Sequence, residues 1–199
     1  MVKDGLRERK RMETRQRISD RATRLFERDG FDNVTLAQVA EAADVSPKTV
    51  TNYFGAKEDL FFDAEPAILD ALAETVRQRG PMTPTAALRP MIIDSPVLNV
   101  ACPWTVVDDG IWAGMRVWSQ CEDASATLRT RRAAILQSWL EPLAEAGGSA
   151  AWAGLMVGVL VLRHDLLRRG LLGGATPEEV ERQVREVAGR ALDAIERGF

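Results

Sequence analysis

Apolar residues recur at helical spacing along most of the chain, and this pattern predicts an all-α protein of about nine helices. The first predicted helix runs from about Glu8 to Asp29. One stripe of it is apolar at i, i+4, i+7 and i+8, namely Ile18, Ala22, Leu25 and Phe26. Gly30 ends this helix, since glycine readily takes the left-handed backbone conformation that closes helices. Phe31 can then fold back on Phe26.

A second, short helix is predicted over 36–43. Thr35 precedes it as N-cap, and Gln38 stands three residues later, which is the spacing of a capping box. Val34 and Val39 are placed to pack against each other across this cap. These start signals are stronger evidence for the helix than its few apolar residues, because a helix of eight residues has little propensity of its own.

A third helix is predicted over 47–54, after a turn at 44–45. Ser46 is its N-cap, and Pro47 occupies the first helical position, where a missing N–H costs nothing. Val50 and Phe54 face inward. The remaining side chains point largely outward and are polar: Lys48, Thr49, Thr51, Asn52 and Tyr53.

Two short helices joined by a tight turn form a helix-turn-helix, the arrangement that places a recognition helix in the major groove of DNA. A groove about 12 Å wide favours short hydrogen-bonding side chains and a few cations on that helix. The net charge of −3 argues against DNA binding only until the chain is divided. Residues 1–24 carry 9 Lys and Arg against 4 Asp and Glu, whereas residues 58–199 carry 14 against 20. Basic charge at one end is typical of phosphate contact.

The run 35–46, TLAQVAEAADVS, followed by PKTVTNYFGAKEDL at 47–60, resembles the N-terminal signature of TetR-family regulators. Asp44 stands where the family usually has glycine, Thr51 where it has a tyrosine, and Ala56 where it has a capping serine. The resemblance implies a homodimeric, all-helical regulator that binds a palindromic double-stranded DNA operator and is released when a ligand occupies its C-terminal domain.

Site residues follow from the same resemblance. It implies phosphate contacts for Thr35, Thr49, Tyr53 and Lys57, and base contacts for Lys48, Thr51 and Asn52. Ser46 and Pro47 complete the predicted DNA-binding set. Because Thr51 changes the base-reading surface, the family's operators cannot be transferred to this chain.

The C-terminal part is also predicted to be helical, which divides the chain into a DNA-binding domain, 1–56, and a ligand-binding and dimerisation domain, 57–199. Its predicted helices are 57–79, with Pro66 as a kink, then 84–93, 111–122, 126–146, 149–169 and 177–197. The last begins with a capping box from Thr176 to Glu179. Segment 94–110 has the weakest helical pattern.

Aromatic and methionine residues concentrate in the middle of this domain. They are either ordinary core or the lining of a pocket for a hydrophobic effector: Met91, Trp104, Trp112, Met115, Trp118 and Trp139. The last two helices are predicted to pair with their symmetry mates as a four-helix bundle. The predicted interface comprises Trp152, Leu155, Met156, Val159, Leu160, Arg163 and Leu167 on one helix and Val184, Val187, Ala188, Ala191, Leu192 and Ile195 on the other.

Other functional classes find little support. Cys102 and Cys121 are 19 residues apart with a single histidine, His164, in the whole chain, so neither a zinc site nor a cofactor is predicted. Catalytic residues do not converge, which argues against an enzyme. The longest apolar run, 150–162, is too short for a bilayer, so we expect a cytoplasmic protein without a membrane partner. The open alternative is a DNA-binding regulator without a small effector, constitutive or gated by a protein partner.

Overall fold

The computed structural model describes residues 2–94 and 109–198, and these residues form helices and connecting turns without strands. The predicted all-α class is confirmed. Eleven helices are present in the described residues: α1 (Val2–Asp29), α2 (Leu36–Ala42), α3 (Pro47–Phe54), α4 (Lys57–Phe61), α5 (Glu65–Arg77), α6 (Pro84–Ile93), α7 (Asp109–Ala124), α8 (Ala126–Ser138), α9 (Leu140–Gly147), α10 (Ala150–Leu172) and α11 (Pro177–Arg197). The bounds predicted for α3, α6 and α11 are those observed.

Two helices predicted as continuous are each broken by a proline. The predicted helix 57–79 divides into α4 and α5, so the interpretation of Pro66 as a kink is wrong. Pro66 has no N–H for the carbonyl of Phe62, and its ring would crowd that carbonyl, whereas in the first turn of α5 both costs vanish. The predicted helix 126–146 divides into α8 and α9 in the same way, because Pro142 cannot donate to Ser138.

The chain forms two compact units. The first comprises the described parts of Met1–Asp63 with Cys121–Arg129, and the second those of Ala64–Gln120 with Thr130–Phe199. Contacts thus assign α4 to the first unit, whereas the predicted domain division at 56/57 placed this helix with the C-terminal domain. Helices α7 and α8 each contribute residues to both units.

Phenylalanine rings fill the core of the first unit. The ring centroid of Phe26 lies 5.1 Å from that of Phe31 and 6.1 Å from that of Phe61. Gly30 makes the first contact possible: at φ +79° it ends α1, and its N–H donates to the Phe26 carbonyl at 2.9 Å. Ile18 and Ala22 complete the buried stripe of α1. This core holds α1 against the short helices that follow.

The second unit has its own core, in which α10 and α11 contribute the most central residues. Met156 and Leu160 of α10 and Leu192 of α11 are almost fully buried. By length and apolar composition α10 could cross a membrane, but a core helix of a soluble protein meets the same criterion. Seven residues of α10 are buried within this unit, which indicates a core helix.

Candidate functional site

Side-chain caps fix both helices of the helix-turn-helix at their first residues. The Thr35 N–H donates to Gln38 Oε1 at 2.8 Å, and the Gln38 N–H donates to Thr35 Oγ1 at 3.3 Å, so the predicted capping box is confirmed. At α3, the Thr49 N–H donates to Ser46 Oγ at 3.0 Å. Replacing such a cap by alanine typically costs about 1 kcal/mol, which is large for helices of seven and eight residues.

The turn between α2 and α3 depends on one residue in the left-handed conformation. Asp44 has φ +53°, and no other non-glycine residue in the described chain has a positive φ. Its N–H donates to the Glu41 carbonyl at 3.1 Å, and the Val45 N–H donates to the Ala40 carbonyl at 3.0 Å. These two bonds are those of a Schellman motif, which explains why glycine would suit this position better than aspartate.

Helix α3 has one buried and one exposed side. Val50 and Phe54 are buried against the first unit's core. The predicted base-reading residues, Lys48, Thr51 and Asn52, are all exposed, and Ser46 and Pro47 are exposed at the start of the helix. Thr49 and Tyr53 are half-buried. These seven residues thus lie together on α3 and its N-cap, whereas Thr35, which is also exposed, caps α2.

Lys57 differs from the other predicted contacts because its ammonium already has partners. Nζ donates to the Phe31 carbonyl at 3.0 Å and to the Val34 carbonyl at 2.9 Å, and it lies 4.1 Å from the centroid of the Phe31 ring. Sequence reasoning missed this structural role. The lysine joins the start of α4 to the loop between α1 and α2, a contact across 26 residues that local patterns do not reveal.

The predicted effector residues all belong to the second unit, apart from Trp104, which lies outside the described residues. Trp112 and Trp139 are buried members of its core, and Met91 and Met115 pack against that core half-buried. Trp118 is half-buried on α7. The indole Nε1 of Trp112 donates to the Ala175 carbonyl at 3.1 Å. Segment 94–110 is likewise described only at its ends.

Arg116 is a residue of this region that sequence reasoning missed. It lies on α7 one turn after Trp112 and is half-buried. Its Nε is shielded from solvent and has no hydrogen-bond partner in the part of the chain that the structure describes. A buried donor without an acceptor costs about 1–3 kcal/mol. The sequence does place this arginine four residues after Trp112, on the same side of the predicted helix, and this spacing could have pointed to it.

The predicted dimer residues divide into two groups. The larger group is buried inside the second unit and packs within the chain: Met156, Val159, Leu160, Arg163, Val184, Ala188 and Leu192. Trp152, Leu167, Val187, Ala191 and Ile195 are half-buried, and Leu155 is exposed. The Trp152 indole donates to Thr85 Oγ1 at 2.9 Å, so it too has an intrachain role.

Another face of α10 is apolar and exposed. Leu155 is 38% and Val161 46% exposed, and both rank among the exposed large hydrophobic residues. Ala151, Gly154 and Gly158 lie beside them at helical spacing and are also exposed. We call these five residues the α10 outer face. Its glycines would permit close approach of another helix backbone.

The end of α7 packs against the loop that follows α1. Cys121 Sγ donates to the Phe26 carbonyl at 3.4 Å, and Ser125 Oγ donates to Asp32 Oδ1 at 2.7 Å. Burial raises the pKa of the Cys121 thiol, so it is neutral at physiological pH. Helix α7 therefore carries Trp112, Met115 and Trp118 at one end and contacts with the helix-turn-helix unit at the other.

Most of the first unit is similar to a known protein family. The family model for bacterial regulatory proteins of the tetR family matches residues 18–64. The transcriptional regulator TcmR of Streptomyces glaucescens is 35% identical over 75 residues, which are 38% of this chain and 33% of that protein. The regulator HbdR of an Aromatoleum species is 34% identical over 64 residues, 32% of this chain and 28% of that protein. These matches cover only about a third of each relative.

Other similarities extend over most of the chain. The regulator BetI of Agrobacterium fabrum is 27% identical over 179 residues, 84% of each protein. A TetR transcriptional regulator from Rhodococcus sp. RHA1 has a TM-score of 0.53 at 15% identity and covers 96% of this chain and 99% of its own. NalD is the secondary repressor of the MexAB-OprM multidrug efflux pump in Pseudomonas aeruginosa. Its structure has a TM-score of 0.54 at 19% identity, and the match covers 90% of this chain and 97% of NalD. At such identities the structures show the shared fold. The predicted resemblance to the tetR family of bacterial regulatory proteins is confirmed over residues 18–64, and the likeness to the solved structures shows that the chain shares their fold.

Proposed function

We propose that this regulator is a cytoplasmic repressor that binds a palindromic operator as a homodimer and is released by a small hydrophobic ligand. The observation that carries the DNA-binding part is the geometry of α3. Its apolar side is buried, its N-terminus is fixed by Ser46, and Lys48, Thr51 and Asn52 are exposed together. Amide and ammonium groups at these positions can read base edges in the major groove. The description of NalD as a repressor supports the same mode of regulation.

Selection of bound duplexes from a random pool tests this proposal. Wild type should return a palindrome whose half-sites are about one helical turn apart, 34–36 Å. Asn52→Ala and Lys48→Ala should each relax the preference at defined positions by about 1–3 kcal/mol per contact. Glu41→Gln, an exposed change on α2, is the matched control and should return the wild-type consensus. An identical consensus from all four proteins would exclude α3 as the reading helix.

For dimerisation we assign the central role to the α10 outer face rather than to the buried residues of α10. A dimer made through this face would cover Leu155 and Val161, together with the half-buried Ala191 and Ile195 of α11, and leave the core of each protomer intact. Val161→Glu should give a folded monomer by light scattering at micromolar concentration, with unchanged helical circular dichroism. Arg169→Glu, an exposed change on the same helix, is the control. A dimeric Val161→Glu protein would refute this interface.

For the effector we propose a hydrophobic molecule with a hydrogen-bond acceptor. Met91, Met115 and Trp118 provide half-buried apolar surface, and Trp112 and Trp139 lie in the adjoining core. The Nε of Arg116 could donate to a carbonyl or carboxylate oxygen of such a ligand. A screen by tryptophan fluorescence should find compounds that also weaken operator binding 5–150-fold, which is a coupling of about 1–3 kcal/mol.

Variants separate the sensor from the alternative without a small effector. Trp118→Ala should weaken the binding of screened compounds, and Arg116→Met should weaken compounds with an acceptor more than those without. If ligand binding leaves operator affinity unchanged, or persists in Trp118→Ala, the proposed effector site is refuted. Its aromatic and methionine residues are then ordinary core residues. A regulator that is constitutive or controlled by a protein partner would then be favoured.

Coupling to the DNA-binding unit could run through α7. This one helix carries Trp118 and, at its end, Cys121, whose contact with the Phe26 carbonyl lies beside the Ser125–Asp32 hydrogen bond. A ligand that moves α7 would disturb these bonds and shift the equilibrium only if it binds the two states unequally. Ser125→Ala should therefore reduce the effect of a ligand on operator affinity while leaving ligand affinity within about twofold.

A further inference from the structure

The N-terminal part of α1 lies outside the segment that matches the family model. The family model begins at residue 18, but α1 begins at Val2 and continues unbroken to Asp29. Every side chain from Gly5 to Met12 is exposed, and so is that of Glu13. Burial begins with Thr14 and Arg15 and is complete at Ile18. Residues 5–13 are therefore a helical projection whose side chains are not needed for the core, and we call them the α1 extension.

Charge is distributed unevenly around this helix. Residues 5–17 contain six Lys and Arg and two Asp and Glu, a net charge of +4. Arg7, Lys10 and Arg11 stand at i, i+3 and i+4, on the stripe that continues into Ile18. At 100° per residue, Glu8 and Glu13 each lie about 110° from the centre of this stripe, on opposite sides of it. The described ion pair of the extension, Arg9 with Glu13 at 3.6 Å, lies on the other side of the helix.

Contacts within the first unit show where the basic stripe ends. The Arg15 guanidinium carbon lies 4.3 Å from the centroid of the Phe54 ring, at the C-terminal end of α3. Phe54 follows Tyr53, one of the proposed phosphate contacts. Arg11, the last residue of the basic stripe, precedes Arg15 by one helical turn, so the stripe ends next to the turn of α1 that contacts the end of the proposed recognition helix.

From this geometry we infer that the α1 extension is a second DNA-binding surface, which contacts backbone phosphates flanking each half-site. The inference rests on the proposed DNA-binding function. Residues 5–13 rise about 12 Å along the helix axis, and successive phosphates of one strand are about 3.4 Å apart along the duplex, so two or three cations can reach separate phosphates. The contact would add affinity without sequence preference, because phosphates are the same at every base pair.

Paired charge substitutions on the same helix test this surface. Arg7→Gln with Arg11→Gln removes two charges from the basic stripe. Arg9→Gln with Arg24→Gln is the control, because both residues are exposed and lie at least about 90° from the centre of the stripe. Glutamine preserves helix propensity, which circular dichroism can verify. The probes are the duplex selected by wild type, trimmed to its consensus or extended by 10 bp on each side, and titrated between 50 and 200 mM salt.

On the extended duplex the first pair should lower the slope of log K against log[salt] by about 3.6 per dimer, from four lost phosphate contacts at about 0.9 each. The second pair should change the slope by less than about 1. On the trimmed duplex both pairs should resemble wild type. Equal effects of the two pairs would show a diffuse charge effect and overturn the inference, and so would a wild-type slope for the first pair.

Two further results distinguish the failure of this inference from the failure of the proposed function. If wild type selects no duplex at all, the DNA-binding proposal itself fails. If wild type selects a consensus but the first pair binds the extended duplex normally, only the α1 extension is refuted. Loss of binding to phosphatidylglycerol vesicles by the first pair, with DNA binding unchanged, would assign the surface to a membrane instead and refute the DNA contact.

Discussion

Lys57 provides the sharpest test of how the helix-turn-helix is held together. Its ammonium group is bonded to the carbonyls of Phe31 and Val34, which belong to the loop between α1 and α2. Lys57→Met retains most of the aliphatic stem and removes only the charged donor. The two carbonyls then lose their described ammonium partner, and the Phe31 ring loses a cation 4.1 Å from its centre.

The expected loss follows from these contacts. Hydrogen bonds to a charged group contribute about 1.5–3 kcal/mol each when buried, and a cation over an aromatic ring contributes about 0.5–1 kcal/mol at exposed sites. Since Lys57 is only half-buried, water can partly replace it, so we expect a total below the roughly 3.5 kcal/mol to which the lower ends of these ranges sum. We expect the free energy of unfolding to fall by about 2–3 kcal/mol, which corresponds to a decrease in Tm of roughly 4–12 °C for a chain of this size.

Thermal or urea unfolding measures this loss, and Lys48→Met is the matched control. Both variants lose one lysine charge, but Lys48 is exposed on α3, so its replacement should change stability by less than about 0.5 kcal/mol. The phosphate contact implied for Lys57 has a separate readout, since two lost contacts per dimer would lower the salt slope by about 1.8. Equal stability of the Lys57→Met and Lys48→Met proteins would refute the structural role.

Substitutions at three other sites, one of them with a matched control, have defined outcomes in thermal unfolding. Asp44→Gly should raise the free energy of unfolding by roughly 0.5–1 kcal/mol, because residue 44 has φ +53° and glycine adopts this conformation without strain. Asp44→Val should lower the free energy of unfolding. A loss of stability in Asp44→Gly would contradict this reasoning. Gly170→Ala should cost about 1–3 kcal/mol because its Cβ would lie 2.3 Å from Val180 Cγ2, whereas Gly114→Ala, with open space, should cost nothing. Arg163→Ala should cost about 2–4 kcal/mol, since it strands the Ile92 carbonyl 2.9 Å away. Burial lowers the pKa of Arg163 to about 10, so this loss should be the same at pH 6 and pH 8.

Helix bounds could be predicted wherever the chain itself supplies the cap. The starts of α3, α6 and α11 each combine Ser or Thr at the N-cap with proline at the first helical position, and all three match the structure. Pro66 and Pro142 have no cap residue before them, so the pattern predicts that they lie inside a helix. A proline lies inside a helix or in the first turn of a new one according to whether the carbonyl four residues earlier needs a helical hydrogen-bond partner. The hydrophobic pattern does not reveal this.

The partner of an apolar face is harder to predict than the face itself. Helix α10 is apolar around much of its circumference, so several stripes fit helical spacing equally well. The predicted interface stripe, including Met156 and Leu160, packs into the chain's own core, whereas Leu155 and Val161 remain exposed. Tertiary packing decides which apolar stripe of α10 faces the chain's own core and which stays exposed. This cannot be read from the hydrophobic pattern of a single sequence.

The distribution of cations over the first unit separates affinity from sequence preference. Helix α2 contains no Lys or Arg, α3 contains only Lys48, and the Lys57 ammonium is bonded to two carbonyls. The proposed reading surface therefore carries little charge with which to bind phosphates, although nonspecific affinity for DNA depends chiefly on such charge. The basic residues of this unit are concentrated on α1. It follows that substitutions in the basic stripe of α1 should change affinity alike for all sequences of the extended duplex, whereas those on α3 should change which sequence is preferred.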